Sequence, residues 1–279
     1  MEIKKFENTL QLTNDGALSL FFVGTGNAFS KKFFQTNLLI VKGQSHLLVD
    51  CGTLCSYALS SEYNFPISKI DNLLLTHLHA DHMGGVEEMV LLGKYMDNKK
   101  INLIIQNSLK KILWKNSLSG GIKYSDSGVM KFSDYFNQIK PKLIQKKPFE
   151  IWETDFNGIN LKLFRTFHVT EKPFMKRHSQ FSQGLILDNK VLFTGDTQFN
   201  KSQLDWILQN YKIEAIFHDC DISDSYSGVH ASYNQLYTLS ESVKAKTYLC
   251  HFNTKIETKN AQADGFAGFV QRGQYYIFD

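Results

Sequence analysis

The chain has 279 residues, 43% of them hydrophobic, enough to bury a sizeable core, and its 4 prolines and lack of a Gly/Ser-rich linker favour one domain over residues 1–279. A formal net charge of +4 with scattered lysines leaves room for an anionic substrate but gives no basic stripe for gripping nucleic acid. No apolar run reaches the length of a membrane span and residues 1–7 lack an apolar signal region, so the expectation is a soluble, cytoplasmic protein with no membrane partner.

Residues 18–23 predict a strand, followed by the Gly-rich loop Gly24-Thr25-Gly26-Asn27-Ala28-Phe29-Ser30. That loop lacks the third glycine of a dinucleotide fingerprint and leads into strands instead of a helix, which excludes a Rossmann reading. Residues 35–41 and 46–50 predict a hairpin whose second strand ends in Asp50-Cys51-Gly52. Residues 71–75 form a short apolar strand and residues 86–92 a helix. Between them lies Thr76-His77-Leu78-His79-Ala80-Asp81-His82, with Met83-Gly84-Gly85 behind it. His77 and His79 are two apart, so in extended chain their side chains leave one face and converge on one ion. Asp81 and His82 are adjacent and cannot both join them, which points to a second ion about 3.5–4 Å from the first. The glycines behind the motif suit a tight turn.

This HxHxDH stretch resembles the central motif of the metallo-β-lactamase superfamily. The resemblance implies an α/β fold, the four-layer αβ/βα sandwich, with two mixed sheets, helices outside and metals at one edge. It also implies that Asp50 braces the metal loop by hydrogen-bonding loop backbone or a ligand imidazole.

Further along, residues 86–95 predict a helix, 101–106 a strand and 108–116 a helix, while the run 117–129 reads as a mobile loop reaching over a site or a partner subunit. Strands follow at 149–154 and 159–167 across the turn 155–158, the second ending in His168. A hairpin over 181–187 and 190–194 ends in Gly195-Asp196-Thr197, and a strand over 215–217 leads into His218-Asp219-Cys220. A helix runs from 233 to about 243, the strand 247–250 ends in His251, and a last strand covers 274–278. The cysteines, Cys51, Cys55, Cys220 and Cys250, form no CxxC pair and sit in or beside apolar segments, as buried thiols of a reducing compartment do.

Within the resemblance, His168, Asp196 and His251 take the third, fourth and fifth motif positions. The implied ligand sets are His77, His79, His168 and Asp196 for one ion, and Asp81, His82, Asp196 and His251 for the other, with Asp196 giving an oxygen to each. Zinc is the expected ion, with manganese and iron open on the same donors. Two dications with Asp81 and Asp196 leave a positive centre suited to an anionic, hydrolysable group.

The stretch from Phe217 to Phe252 is similar to the subgroup containing ribonuclease Z and related phosphodiesterases, which has a His-acid pair, an HST-type loop, a helix and the last metal histidine. Here the acid is Asp219 instead of Glu, and His230-Ala231-Ser232 stands in place of HST. The resemblance implies that Asp219 orients His230, which protonates a leaving alkoxide, so that Asp81, His230 and Asp219 carry the chemistry. It further implies a homodimer. Ribonuclease Z has a long tRNA-gripping arm between the third and fourth motifs, and the interval from His168 to Asp196, already holding a hairpin, leaves no room for one. A tRNA 3′ endonuclease is therefore an alternative, as is acyl or thioester hydrolysis, and no stable nucleic-acid partner is expected. Phe29, Phe33, Phe34 and Phe174 are placed to stack a base, and Lys31, Lys32, Lys172 and Arg177 to attract a phosphate. Together these features resemble the cyclic nucleotide phosphodiesterases of the fold, including the phage-encoded anti-Pycsar enzymes. The expected reaction is ring opening of a small phosphodiester, a 3′,5′-cyclic nucleotide, to the nucleoside monophosphate.

Overall fold

The structure is a computed structural model that describes residues 1–169, 180–223 and 227–279. The chain divides into two compact units, each holding one large mixed sheet.

One unit comprises Glu2–Gly24, Gln35–Pro141 and Gly273–Asp279. Its sheet runs in the order Glu2–Lys5, Gln274–Phe278, Leu18–Gly24, Asn37–Lys42, Ser45–Val49, Asn72–Leu74, Ile101–Ile104 and Phe136–Ile139. Pairing is antiparallel as far as Ser45–Val49 and parallel beyond it. The near-continuous apolar runs of Leu18–Gly24 and Asn37–Lys42 are those of strands covered on both faces, and Leu20, Phe21, Leu38, Leu39 and Ile40 are fully buried. Each such side chain contributes about 1.5–3 kcal/mol by leaving water, so the central strands hold the sheet and the exposed edge Glu2–Lys5 adds little. Helix Val86–Met96 buries Val86, Met89, Val90 and Gly93, an i, i+3, i+4, i+7 stripe.

The other unit comprises Thr25–Phe34 and Lys142–Arg272, together with Met1. Its strand order is Lys142–Gln145, Ile151–Phe156, Ile159–Thr166, Ser182–Leu187, Val191–Phe193, Ala215–Asp219, Thr247–Cys250 and Gly268–Phe269. Antiparallel pairing up to Val191–Phe193 gives way to parallel pairing. The turn at 155–158 takes left-handed backbone at Asn157 (φ 50°) and Gly158 (φ 87°), the twist that fits a two-residue hairpin. Helix Lys201–Asn210 starts at Asn200, whose side chain accepts the Gln203 N–H, and buries Leu204 and Ile207.

Three expectations are corrected. The run 117–129 is built, not a loose loop: helical turns reach Ile122, and Tyr124–Ser125 pairs with Gly128–Val129. Buried Leu118 and Ile122 anchor it, as does the Tyr135 hydroxyl donating to the Ile122 carbonyl at 2.8 Å. The helix expected over 233–243 is two, Tyr233–Tyr237 and Glu241–Lys244, because Ser240 is extended. Strands Phe136–Ile139 and Lys142–Gln145 are additional to the expected elements; the second is mostly exposed and carries no apolar alternation.

In each unit the strands that run parallel to one another deliver their C-terminal residues to one edge. Ser45–Val49 leads to Asp50 and Asn72–Leu74 to His77 in the first; Ala215–Asp219 and Thr247–Cys250 lead to Asp219 and His251 in the second. Among the described residues no helix is long and apolar enough to cross a membrane.

Candidate metal centre

In the first unit, His77 Nε2 and His79 Nδ1 face each other at 3.0 Å. Residues Ala80–Met83 then make a single helical turn, which brings His82 Nε2 to 3.1 Å from Asp81 Oδ2. Asp50, held in left-handed backbone at φ 64°, takes the Thr76 N–H on Oδ1 at 2.7 Å. Its Oδ2 accepts from the Thr76 hydroxyl and from His82 Nδ1, both at 2.7 Å. Asp50 therefore holds both loop backbone and an imidazole. Burial raises its carboxyl above the ordinary range, and the adjacent His82 pulls it back. The glycines behind the motif make the expected turn, Gly84 (φ -66°, ψ -18°) and Gly85 (φ -89°, ψ -3°) having the dihedrals of a type I turn, so neither needs left-handed backbone. Their role is close approach: a Cβ on Gly85 would lie 2.5 Å from the Gly52 carbonyl, where Gly85 N–H donates to the Cys51 carbonyl at 2.9 Å.

In the second unit, Asp196 Oδ2 lies 3.2 Å from His251 Nε2 and 3.7 Å from His168 Nε2. Ligand atoms of His168, Asp196 and His230 all lie within 4.8 Å of one another, and so do those of Asp219, His230 and His251. His230 Nδ1 donates to Asp219 Oδ2 at 2.7 Å, and Asp219 Oδ1 is 3.4 Å from His251 Nδ1. His251 has left-handed backbone at φ 61°, a conformation that a non-glycine residue keeps only when its surroundings fix it. Burial lowers the His168 imidazole to about 4. Burial also opposes protonation of His230, but the charge and hydrogen bond of Asp219 outweigh it and set that imidazole above its ordinary value. Asp219 is buried, yet His230 and His251 hold it below the usual carboxylate range.

Each half fits a divalent ion by the chemistry of its donors. His82 Nδ1 donates to Asp50, His168 Nδ1 to the Val229 carbonyl at 2.8 Å, and His77 Nδ1 to the Thr76 hydroxyl at 3.1 Å. With the proton on Nδ1, the lone pair is on Nε2 and that nitrogen is left able to bind a metal, the tautomer being fixed by the carboxylate, carbonyl or hydroxyl behind it. Two nitrogens on a tetrahedral zinc sit roughly 3.4 Å apart, close to the 3.0 Å between His77 and His79.

Several residues that secure this arrangement carry no sequence signal of their own. Ser182 Oγ donates to the Asp196 carbonyl at 2.9 Å and shares a 2.7 Å hydrogen bond with Thr166. Gln198 Nε2 donates to the His168 carbonyl at 3.1 Å, and Thr197, which closes the Gly195-Asp196-Thr197 motif, gives its N–H to Asp219 Oδ2 at 2.9 Å. In the first unit Asn37 Oδ1 accepts the Gly52 N–H at 3.1 Å. His218, which precedes Asp219 in the expected His-acid pair, is buried and turns its Nδ1 to the Asp219 carbonyl at 2.7 Å. Of the expected mouth residues, Phe174, Lys172 and Arg177 lie outside the described residues. Phe34 is buried, Lys32 pairs with Glu257 at 2.7 Å, and Phe29 is exposed.

The sequence matches the family described as anti-Pycsar protein Apyc1 over residues 18–276. It is 33% identical over 262 residues to the anti-Pycsar protein Apyc1 of Paenibacillus xerothermodurans, covering 94% of this chain and 98% of that one. The metallo-β-lactamase fold protein YhfI from Bacillus subtilis superposes with a TM-score of 0.67 at 13% identity, covering 94% of this chain and 99% of YhfI. Human tRNase Z, short form, gives 0.63 at 14% identity, with 94% and 99% covered. These two likenesses establish the metallo-β-lactamase fold. By its sequence, the chain belongs to the anti-Pycsar Apyc1 family.

Proposed function

We propose that this protein is a dinuclear metal-dependent phosphodiesterase that opens 3′,5′-cyclic nucleotides to nucleoside monophosphates. One ion would be held by His77, His79, His168 and Asp196, the other by Asp81, His82, Asp196 and His251. Bound there, divalent ions supply Lewis-acid charge and a source of activated water. Zinc suits these donors, and the same reading has the chain acting in the cytoplasm as a homodimer.

The observation that carries the reading is the pair His230–Asp219. The His230 ring sits 4.6 Å from that of His168 and 4.8 Å from that of His251, centroid to centroid. Its side chain is 19% exposed, while that of Asp219 is 1% exposed. A substrate can therefore meet the imidazole, while the buried carboxylate behind it raises the imidazole's affinity for a proton. As water adds to phosphorus and a P–O ester bond breaks, the departing sugar oxygen needs a proton. His230 supplies it and Asp219 stabilises the ring's charge until then. Acyl or thioester hydrolysis has no such demand for a protonated imidazole. The names of the relatives support the same direction, since the Paenibacillus and phage proteins alike are called anti-Pycsar proteins.

A panel of cCMP, cUMP, cAMP, cGMP, pre-tRNA with a 3′ trailer and nitrocefin, incubated with the metal-loaded protein and resolved by chromatography, tests the proposal. Nucleoside monophosphates are the expected products. Faster turnover of pre-tRNA than of any cyclic nucleotide would restore the ribonuclease Z alternative.

A further inference from the structure

Phe29 stands at the tip of the loop Thr25–Phe34 and is 87% exposed, the most open large apolar side chain among the described residues. An isolated exposed aromatic is unremarkable on a protein surface. This one is held out by a rigid frame. The loop base is closed by Thr25 N–H on the Phe33 carbonyl at 3.0 Å and Gly26 N–H on the Phe34 carbonyl at 2.8 Å. Inside it, Asn27 Oδ1 accepts the Phe29 N–H at 3.2 Å, the Asn27 carbonyl accepts the Ser30 N–H at 3.1 Å, and Ser30 Oγ accepts the Phe33 N–H at 3.2 Å. Only glycine fits at position 26, because a Cβ there would lie 2.8 Å from the Phe34 carbonyl.

The frame is fastened to the strand end that carries His251. His251 N–H donates to the Thr25 carbonyl at 2.8 Å, and Asn27 N–H to the Phe252 carbonyl at 3.0 Å. The Phe33 ring packs edge-on against Phe252 at 5.3 Å, and Lys32 bonds Glu257 at 2.7 Å. The other two loop aromatics are thus committed to packing, Phe34 being buried with the Arg272 guanidinium 5.1 Å above its ring. Phe29 alone of the three presents an open face.

From this we infer that Phe29 is the nucleobase-stacking residue of the site, a specificity determinant that takes the base of a cyclic nucleotide by its π-face without reading its hydrogen-bonding edge. The inference rests on the cyclic nucleotide reading above. Stacking of this kind tolerates any base, purine or pyrimidine, because every base has a π-face.

The test compares steady-state kinetics of the metal-loaded wild type, Phe29→Ala and Phe29→Trp on cAMP, cCMP and the base-free ribose 3′,5′-cyclic phosphate. Phe29→Ala should raise KM for both nucleotides by about 5- to 150-fold with kcat unchanged. KM for the base-free compound should not move, and Phe29→Trp should restore the nucleotide KM. An unchanged nucleotide KM in Phe29→Ala, or an equal rise on the base-free compound, would overturn the inference while leaving the cyclic nucleotide activity intact. Absence of turnover by the wild type on both nucleotides would remove the underlying reading and this inference with it.

Discussion

His230 differs from the other described histidines of its unit by its exposure: His168, His218 and His251 are buried, while His230 keeps an open edge. A proton donor must be reached, whereas a ligand or a packing residue need not be. Replacing it by Ala should lower kcat about 10²- to 10⁴-fold on a substrate whose leaving group is an alkoxide. With a p-nitrophenolate leaving group, which departs without a proton, the loss should be smaller, and metal content should stay the same. Equal losses on both substrates would remove His230 from the proton-donor role. Asp50 makes a separate prediction, because it touches His82 and the Thr76 backbone and no substrate group is required near it. Asp50→Asn should weaken metal affinity by about 10- to 100-fold, read by competition with a chromogenic chelator. An unchanged competition curve would mean that Thr76 and the loop backbone hold His82 without it.

At the scale of elements, strands end where chemistry begins, and the loops that follow pack too tightly to vary. Gly85 illustrates this: an added methyl meets the Gly52 carbonyl and, at 3.0 Å, the Cys51 sulfur. Gly85→Ala should destabilise the protein by about 1–3 kcal/mol, seen as a lower Tm; an unchanged Tm would show that the 51–52 backbone yields. Strand Ser45–Val49 gives a pH dependence remote from the metal loops. His46 Nε2 accepts the Asp71 N–H at 3.0 Å, so the imidazole must be neutral. Burial lowers its pKa, with Lys99 adding to the effect and Asp71 opposing it. Below the ordinary value of 6.5 the unfolded chain takes up a proton that the folded chain resists. Stability from this group is therefore complete above that pH and is lost as pH falls through the window beneath it, down to the depressed folded value. Urea midpoints of metal-free protein should show a pH slope there that is smaller in His46→Gln. Identical slopes would show that other groups set the acid sensitivity.

Across the whole molecule, what is legible in the sequence depends on how local its signal is. His77, His79, Asp81 and His82 are contiguous or nearly so, and His168, Asp196 and His251 each follow an apolar run, so all seven stand out in the residue order alone. Thr166, Ser182 and Gln198 do not, and the bond from Thr197 to Asp219 is hidden in the same way, because their partners are remote along the chain. Ser182 is 14 positions from Asp196, Thr197 is 22 from Asp219, and Thr166 and Gln198 are each 30 from Asp196 and His168 respectively. Only folding brings such pairs together. Edge strand Lys142–Gln145 is hidden for another reason, since three of its four side chains face water and it has no buried face to pattern. Helix Lys201–Asn210, by contrast, has a local signal in the Asn200 cap and the Leu204/Ile207 spacing, although it is not among the expected elements. The matching family spans residues 18–276, which includes most of both units and the strand ends that carry His77, Asp196, Asp219 and His251.

The proposed reaction requires two ions per chain. Metal-free protein titrated with zinc, while cyclic nucleotide hydrolysis is followed, measures this directly. The rate should rise to a plateau at two zinc equivalents per chain, and His251→Ala should plateau lower and bind fewer ions. A plateau at one equivalent, or hydrolysis that persists without any metal, would contradict it.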